Sequence, residues 1–239
     1  VNEVANGLMA VGPSERPALA VLPVGTGNDV ARTFGLAKFG TALDALAKGS
    51  TRTLDVIRVQ LMRDGKSVTR HALLFVAAGF AAEVIRKTGP RVKRIFGRRF
   101  SYSVGLFRAL ASFRAPEFSV KWDGGETSGR MFQVCAGNTE FAAGGVMRIS
   151  PGARPDDGLL NISLVDALGR LQIVRRFPSI LSGRYVEDER VDYFTGKRLE
   201  LDAVPPAEFQ ADGDIIGTTP ATIELLPGAL RLGTPEYRY

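Results

Sequence analysis

One cysteine, Cys135, and one histidine, His71, serve the whole chain of 239 residues. That scarcity excludes a disulfide scaffold and a Cys/His zinc site, and it leaves a Ser-His-Asp arrangement only one histidine to draw on. A lone cysteine fits a reducing cytoplasm. Cys135 lies in the apolar run Met131-Phe132-Gln133-Val134-Cys135-Ala136 and reads as a small buried hydrophobe rather than a nucleophile, with His71 equally structural. Long hydrophobic runs are missing too. Ala72 to Ala82 is short and broken by Gly79, well under the about 20 residues that a spanning helix needs. The residues after Val1 do not read as a signal peptide. No internal repeat, low-complexity tract or basic and aromatic nucleic-acid module is visible, so no nucleic-acid partner is expected.

What is present is an ordinary soluble composition, 45% hydrophobic and 23% charged, in a chain long enough to bury the core of one large or two modest domains. The net charge of +6 favours anionic partners such as nucleotides and acidic membrane surfaces. The most informative stretch is Leu22-Pro23-Val24-Gly25-Thr26-Gly27-Asn28-Asp29-Val30-Ala31-Arg32. It reads as a strand, Ala18 to Val24, running into a glycine-rich turn and a helix, which is how backbone amides cradle phosphate. Gly25 and Gly27 permit close approach, Thr26 offers a hydroxyl and an amide, and Asn28 and Asp29 either cap the helix or order magnesium-bound water, capping being the simpler reading. The loop has no Gly-Lys-Ser/Thr ending, and Val30 stands where a dinucleotide fingerprint has its third glycine, so a plain strand-to-helix turn stays open.

Residues 1 to about 58 alternate helix and strand, with helices expected over Val1 to Val11, Val30 to Phe34 and Thr41 to Lys48, as in a parallel α/β domain. From there the texture changes to short apolar runs at Val56–Met62, His71–Ala77, Phe118–Trp122, Met131–Ala136, Leu159–Val165, Arg198–Asp202 and Ala221–Leu226. Asp64-Gly65, Asp123-Gly124, Asp157-Gly158 and Asp212-Gly213 are hairpin-type dipeptides between them, and an antiparallel β-sandwich follows. Two helical insertions are expected, Ala82 to Phe113 and Leu171 to Ser182. The first carries basic residues from Arg86 to Arg99 beside Val92, Ile95 and Phe96, a pattern that suits either an anionic bilayer surface or a solvated helix face.

Taken in order, Val1-Asn2-Glu3-Val4-Ala5-Asn6-Gly7-Leu8, the Leu22–Arg32 loop, Ser150-Pro151-Gly152-Ala153-Arg154-Pro155-Asp156-Asp157-Gly158-Leu159-Leu160 and Asp212-Gly213-Asp214 with the Thr219–Leu230 tail resemble the diacylglycerol kinase catalytic family, and within it the soluble bacterial lipid kinases. The resemblance covers nearly the whole chain. It implies a Rossmann-like nucleotide-binding α/β domain over 1–58, a β-rich lipid-substrate domain over 59–219, and C-terminal strands over 220–239 that pack back on the first. It also implies that Val1 directly follows a Gly-Gly-Asp-Gly-Thr loop, so that the chain is a fragment of its nucleotide domain with Asn2 as that loop's last residue, adding an amide contact to ATP.

The activity so implied is transfer of the γ-phosphate of ATP to a hydroxyl of diacylglycerol or a related lipid. Either Asp212 or Asp214 is the general base, Asp214 standing where the family often has Glu. Asp156 and Asp157 make a hard-oxygen turn suited to Mg2+. In the relatives the second carboxylate, here Asp157, holds it with backbone oxygens at the places of Arg154 and Leu159. The expected setting is cytoplasmic, with a lipid substrate presented at the inner membrane face and a homodimer possible. A kinase of similar architecture with a soluble acceptor such as NAD or a sugar phosphate, and a non-catalytic lipid-binding module, are the alternatives.

Overall fold

Three helices precede the sheet in the computed structural model, which describes residues 1–25, 27–89 and 104–235. They are α1 (Asn2–Met9), α2 (Asp29–Thr33) and α3 (Phe39–Lys48). Gly49 ends α3 in the left-handed conformation (φ 67°), its N–H returning to the Leu46 carbonyl, a stop that a Cβ would strain. Strands β1 (Thr51–Arg63), β2 (Lys66–Ala72) and β3 (Phe75–Gly79) follow, then α4 (Phe80–Lys87) and a helical run over 104–112, α5. The rest is β4 (Glu117–Trp122), β5 (Gly125–Gly137), β6 (Phe141–Ala142), β7 (Met147–Arg148), β8 (Leu160–Asp166), α6 (Arg170–Ser182), a 3-10 turn (Arg184–Glu187), β9 (Val191–Gly196), β10 (Arg198–Val204), β11 (Glu208–Ala211) and β12 (Asp214–Gly233).

Every pairing between these strands is antiparallel. The path β10-β4-β5-β3-β11-β12 returns to β10, so the sheet closes on itself, with β1 and β2 extending from β12 and β8 and β9 from β5. Closure leaves few free edges. At the β2 edge the Asn6 carboxamide of α1 stands in for a strand, donating to the His71 carbonyl at 2.9 Å and accepting the His71 N–H at 2.8 Å.

Long β1 and β12 form a wall shared by two cores. Leu54, Val56, Leu230 and Leu232 pack with Ala5, Val30, Phe34, Leu36 and Ala45 of the helical layer, whereas Ile57, Val59, Leu61, Ile223 and Leu225 pack inside the sandwich with Phe118, Leu199 and Phe209. The boundary expected near residue 58 falls inside β1. Between Leu54 and Val56 the register with β12 jumps from Leu230 to Leu226, so Pro227-Gly228-Ala229 bulges opposite Asp55. The buried Asp55 carboxylate takes up that irregularity, accepting Gly228 N–H and Gly158 N–H at 2.8 and 2.7 Å.

Several expected elements are corrected by these contacts. Ala18 to Val24 is not a strand: only Leu19 makes a bridge, parallel to Leu232, because β12 ends at Gly233 and the Thr234 N–H turns to the Ser50 carbonyl, so the ladder stops after the Leu19 bonds to Arg231 and Gly233. Asp157-Gly158 is not a hairpin, since Asp55 captures the Gly158 amide. The run His71–Ala77 is two strands, broken at Leu73 and Leu74. Asp64-Gly65 and Asp212-Gly213 do turn hairpins, each with two positive φ angles. The helix expected over Ala82–Phe113 begins at Phe80 and is helical to Lys87 and again over 104–112; Val92, Ile95 and Phe96 lie outside the described residues.

Gly79, between β3 and α4, has φ 105°, and a Cβ there would sit 2.6 Å from the Phe132 carbonyl oxygen. Gly79→Ala is expected to destabilise the fold by roughly 3 kcal/mol, read as a lower urea midpoint at unchanged m-value.

A candidate active site at the Asp212 turn

The two-residue turn Asp212-Gly213 joins β11 to β12, with Ala211 paired to Asp214 across it. The half-buried Asp212 carboxylate reaches back to the β2–β3 break. Its Oδ2 accepts Leu73 N–H at 2.8 Å, and its Oδ1 accepts Leu74 N–H at 3.0 Å and Phe75 N–H at 3.1 Å. These bonds explain why the apolar run 71–77 does not continue as one strand. Burial pushes the Asp212 pKa up to about 6, with Asp214 adding to the rise and the three amides opposing it. Asp214 opens β12 with an exposed side chain, and among the described residues no hydrogen bond or ion pair holds its carboxylate.

Asp212 and Gly213 line a cavity of about 380 Å³ whose other walls are largely hydrocarbon. Phe80 and Val84 of α4, Leu106 of α5, Phe132 of β5, Val165 of β8 and Ile173 of α6 supply those walls. Phe80 stacks on Phe132 at 4.6 Å between ring centroids, and Phe113 meets both edge-on. Cys135 lines the cavity too, buried, its thiol pushed up to about 12 by burial against the pull of Ser150 and Ser163. That pKa fits the structural reading of the only cysteine.

Asp29, at the first position of α2, lines the same cavity. It also borders a second one, of about 580 Å³, with Arg32, Arg52, Thr139 and Glu140. A carboxylate therefore stands between an apolar space and a polar one carrying two guanidinium groups. The capping expected of Asn28 and Asp29 does not occur. Asn28, in the left-handed conformation (φ 54°), turns its side chain back into the loop, accepting Gly25 N–H at 2.8 Å and donating to the Pro23 carbonyl at 3.1 Å. Asp29 instead accepts the Gly144 N–H of the β6–β7 loop. The competing bonds hold Gly25 and Gly27 in a closed loop, with Arg32 reaching the Gly27 carbonyl. Thr26 lies outside the described residues.

Asn2 is not on either cavity wall: its side-chain oxygen accepts from Asn6 at 2.7 Å at the start of α1. The Asp157 turn is separate as well. Asp156 pairs with Arg52, and Asp157 is exposed, its Oδ1 taking Leu159 N–H at 3.0 Å. No group of three or more His, Cys, Asp or Glu suited to a metal occurs among the described residues. One exposed carboxylate with neighbouring carbonyls does fit a hydrated Mg2+, which keeps most of its waters.

Comparison with known proteins adds the lineage. Residues 74–234 match the YegS C-terminal NAD kinase beta sandwich-like domain, and residues 1–59 match the diacylglycerol kinase catalytic domain. A diacylglycerol kinase of Mycobacterium tuberculosis is 31% identical over 237 residues, covering 98% of this chain and 74% of the relative. The chain belongs to the diacylglycerol kinase family. The diacylglycerol kinase of Bacillus subtilis is 25% identical over 224 residues, 92% of this chain and 69% of its own. A diacylglycerol kinase structure from Bacillus anthracis has the same fold, with a TM-score of 0.70 over 98% of this chain and 74% of that one, at 24% identity. Family membership makes the chain a member of a phosphotransferase lineage.

Sequence reasoning missed Arg52, Asp55, Asn138 as a cross-link, and Gln210. Asn138 is fully buried, and its Nδ2 donates to the Asp55 carbonyl at 3.0 Å and the Leu73 carbonyl at 2.9 Å. The Gly137-Asn138 pair was its only signal in the sequence. Loss of the amide-bound carboxylate in Asp212→Ala is expected to cost about 2–4 kcal/mol of stability, whereas Asp214→Ala stays within about 0.5 kcal/mol of the parent. Chemical denaturation of the two variants side by side separates the carboxylate that holds the turn from the one that does not.

Proposed function

We propose that the chain is the catalytic part of an ATP-dependent lipid kinase that phosphorylates a hydroxyl of diacylglycerol or a related lipid. The observation that carries this reading is the largely apolar cavity that Asp29, Asp212 and Gly213 line, with Asp214 next in the chain. Hydrocarbon buried in it gains about 0.8 kcal/mol per methylene, and that energy fixes the hydroxyl end beside the carboxylates. The Arg32 and Arg52 side of Asp29 suits the nucleotide phosphates, with Gly25, Thr26, Gly27, Asn28 and Asn2 as further candidates to contact them.

In this reading the lipid oxygen attacks the γ-phosphorus, its proton passes to Asp214, and the bond to the β-phosphate oxygen breaks to leave ADP. Asp214 takes the proton because its lone pairs are uncommitted, whereas Asp212 spends three on backbone amides. Mg2+ held by Asp157 and the backbone oxygens of Arg154 and Leu159 would brace the turn beside Asp55, and Mg2+ on the nucleotide would neutralise phosphate charge.

Lipid would come from a membrane surface. No helix among the described residues is long and apolar enough to cross one. Leu171, Val174 and Leu181 of α6 and Phe107 of α5 are exposed apolar residues on elements that also line the cavity, a peripheral contact that adds to the one proposed for Arg86 to Arg99. Of that segment, residues 90–99 lie outside the described residues.

A second reading makes Asp212 the base, favoured by its place on the cavity wall and its pKa near 6. Labelled γ-phosphate transfer to lipids in mixed micelles decides, using the chain alone and joined to an N-terminal segment carrying a Gly-Gly-Asp-Gly-Thr loop. Lipid phosphate is expected, with Asp214→Asn lowering kcat at least about 100-fold at unchanged melting temperature. If Asp214→Asn keeps its rate, and the rate climbs as pH rises through about 6 while Asp212 loses its proton, the base is Asp212. Transfer to NAD or a sugar phosphate instead, or vesicle binding without turnover, overturns the lipid-kinase reading.

A further inference from the structure

Gln210 is fully buried on β11 and lines the apolar cavity. Its Oε1 accepts the Gly213 N–H at 2.9 Å. Only the oxygen of a carboxamide can accept from an N–H, so this bond fixes the flip of the side chain and turns Nε2 away from the turn. Among the described residues that Nε2 finds no hydrogen-bond partner. Register places Gln210 beside Ala77 and Ala77 beside Cys135, so Gln210 and Cys135 share one sheet face, and both line the cavity. A buried amide donor without an acceptor is unfavourable in an apolar enclosure and calls for a ligand oxygen.

We infer that Gln210 is a specificity residue that donates a hydrogen bond from Nε2 to an acyl carbonyl oxygen of the acceptor lipid. This rests on the lipid-kinase reading and narrows its substrate to acyl lipids, as opposed to alkyl ethers. The walls accept the hydrocarbon, the Asp-Gly-Asp turn faces the hydroxyl, and a side chain bonded to that turn offers one donor. A molecule that satisfies all three carries a chain, a free hydroxyl and an acceptor oxygen close to it. An acyl carbonyl is a strong acceptor and an ether oxygen a weak one, so discrimination between them measures the bond directly.

The test compares kcat/KM for a 1,2-diacylglycerol and its 1,2-dialkyl ether analogue of equal chain length. The parent is expected to favour the diacyl substrate by about tenfold or more, and Gln210→Met to bring the ratio near one. The ratio is the readout because loss of the Oε1 bond to Gly213 slows both substrates alike. If Gln210→Met melts early, the parent decides on the two mixed isomers, 1-acyl-2-alkyl and 1-alkyl-2-acyl glycerol: a single donor bonds a single carbonyl, so one isomer is expected to keep the diacyl rate and the other to fall to the dialkyl rate, and equal rates overturn the assignment. A parent ratio under about threefold, or a ratio unchanged in the folded variant, overturns the assignment of Gln210 and leaves the lipid-kinase reading standing. Transfer to neither lipid overturns both.

Discussion

The backbone of Leu73, Leu74 and Phe75 is where the fold and the candidate site become one problem. Three consecutive amides there would be orphaned by a break between strands, and a buried orphan amide is costly. Asp212 satisfies all three with one carboxylate. Because the break is paired, the chain can leave β2 at the end of the sheet and begin β3 between β5 and β11. The same bonds anchor the β11–β12 turn against the cavity end, so the position of Gly213 and Asp214 follows from the way the β2–β3 backbone was satisfied.

That anchor continues inward through Asn138. Its side chain spans the Leu73 carbonyl and the Asp55 carbonyl, and its own N–H donates to the Leu74 carbonyl at 2.8 Å. Asp55 then holds Gly158 and Gly228. An unbroken line of buried hydrogen bonds thus runs from the Asp157-Gly158 turn, across the wall shared by both cores, to the Asp212 turn. A buried carboxylate, Asp55, and a half-buried one, Asp212, are tolerated here without cations because each accepts from backbone amides, which carry partial positive charge and cannot move away. The arrangement makes the geometry of the two acidic turns mutually dependent, though they are far apart in sequence.

Local signals were legible in the sequence, and long-range ones were not. Asp64-Gly65 and Asp212-Gly213 declare their turns because their left-handed dihedrals are properties of the dipeptide. Gly49 declares the end of α3 for the same reason. The run His71–Ala77 gave no hint of its break, because the residue that makes it lies 139 positions from Leu73. Strand β11 is only Glu-Phe-Gln-Ala, too short and too polar to show a period, and exists through its pairing with β3 and β12. Asn28 and Asp29 looked like helix caps, and the structure spends both on loop contacts that depend on Gly25 and Gly144. Gln210 carries no motif at all; only burial and an unmatched amide distinguish it.

On the proposed lipid-kinase reading, the acidity around Asp29 and Asp212 sets a condition on whatever binds there. Asp29 and Asp212 both line the largely apolar cavity, Asp214 following two residues on in the chain, and carboxylates there would repel a triphosphate unless cations intervened. Arg32 and Arg52 line the polar cavity, Arg52 already shared with Asp156, while Arg176, paired with Asp188, and Arg190 line the other. A neutral lipid feels no such repulsion, and its hydroxyl gains an acceptor. On the lipid-kinase reading the two cavities differ in kind: the largely apolar one would take the hydrocarbon of a neutral lipid, and the polar one would need charge neutralisation before phosphate could approach. Asp29 lines both, and on that reading an attacking hydroxyl and a transferring phosphoryl group would meet beside it.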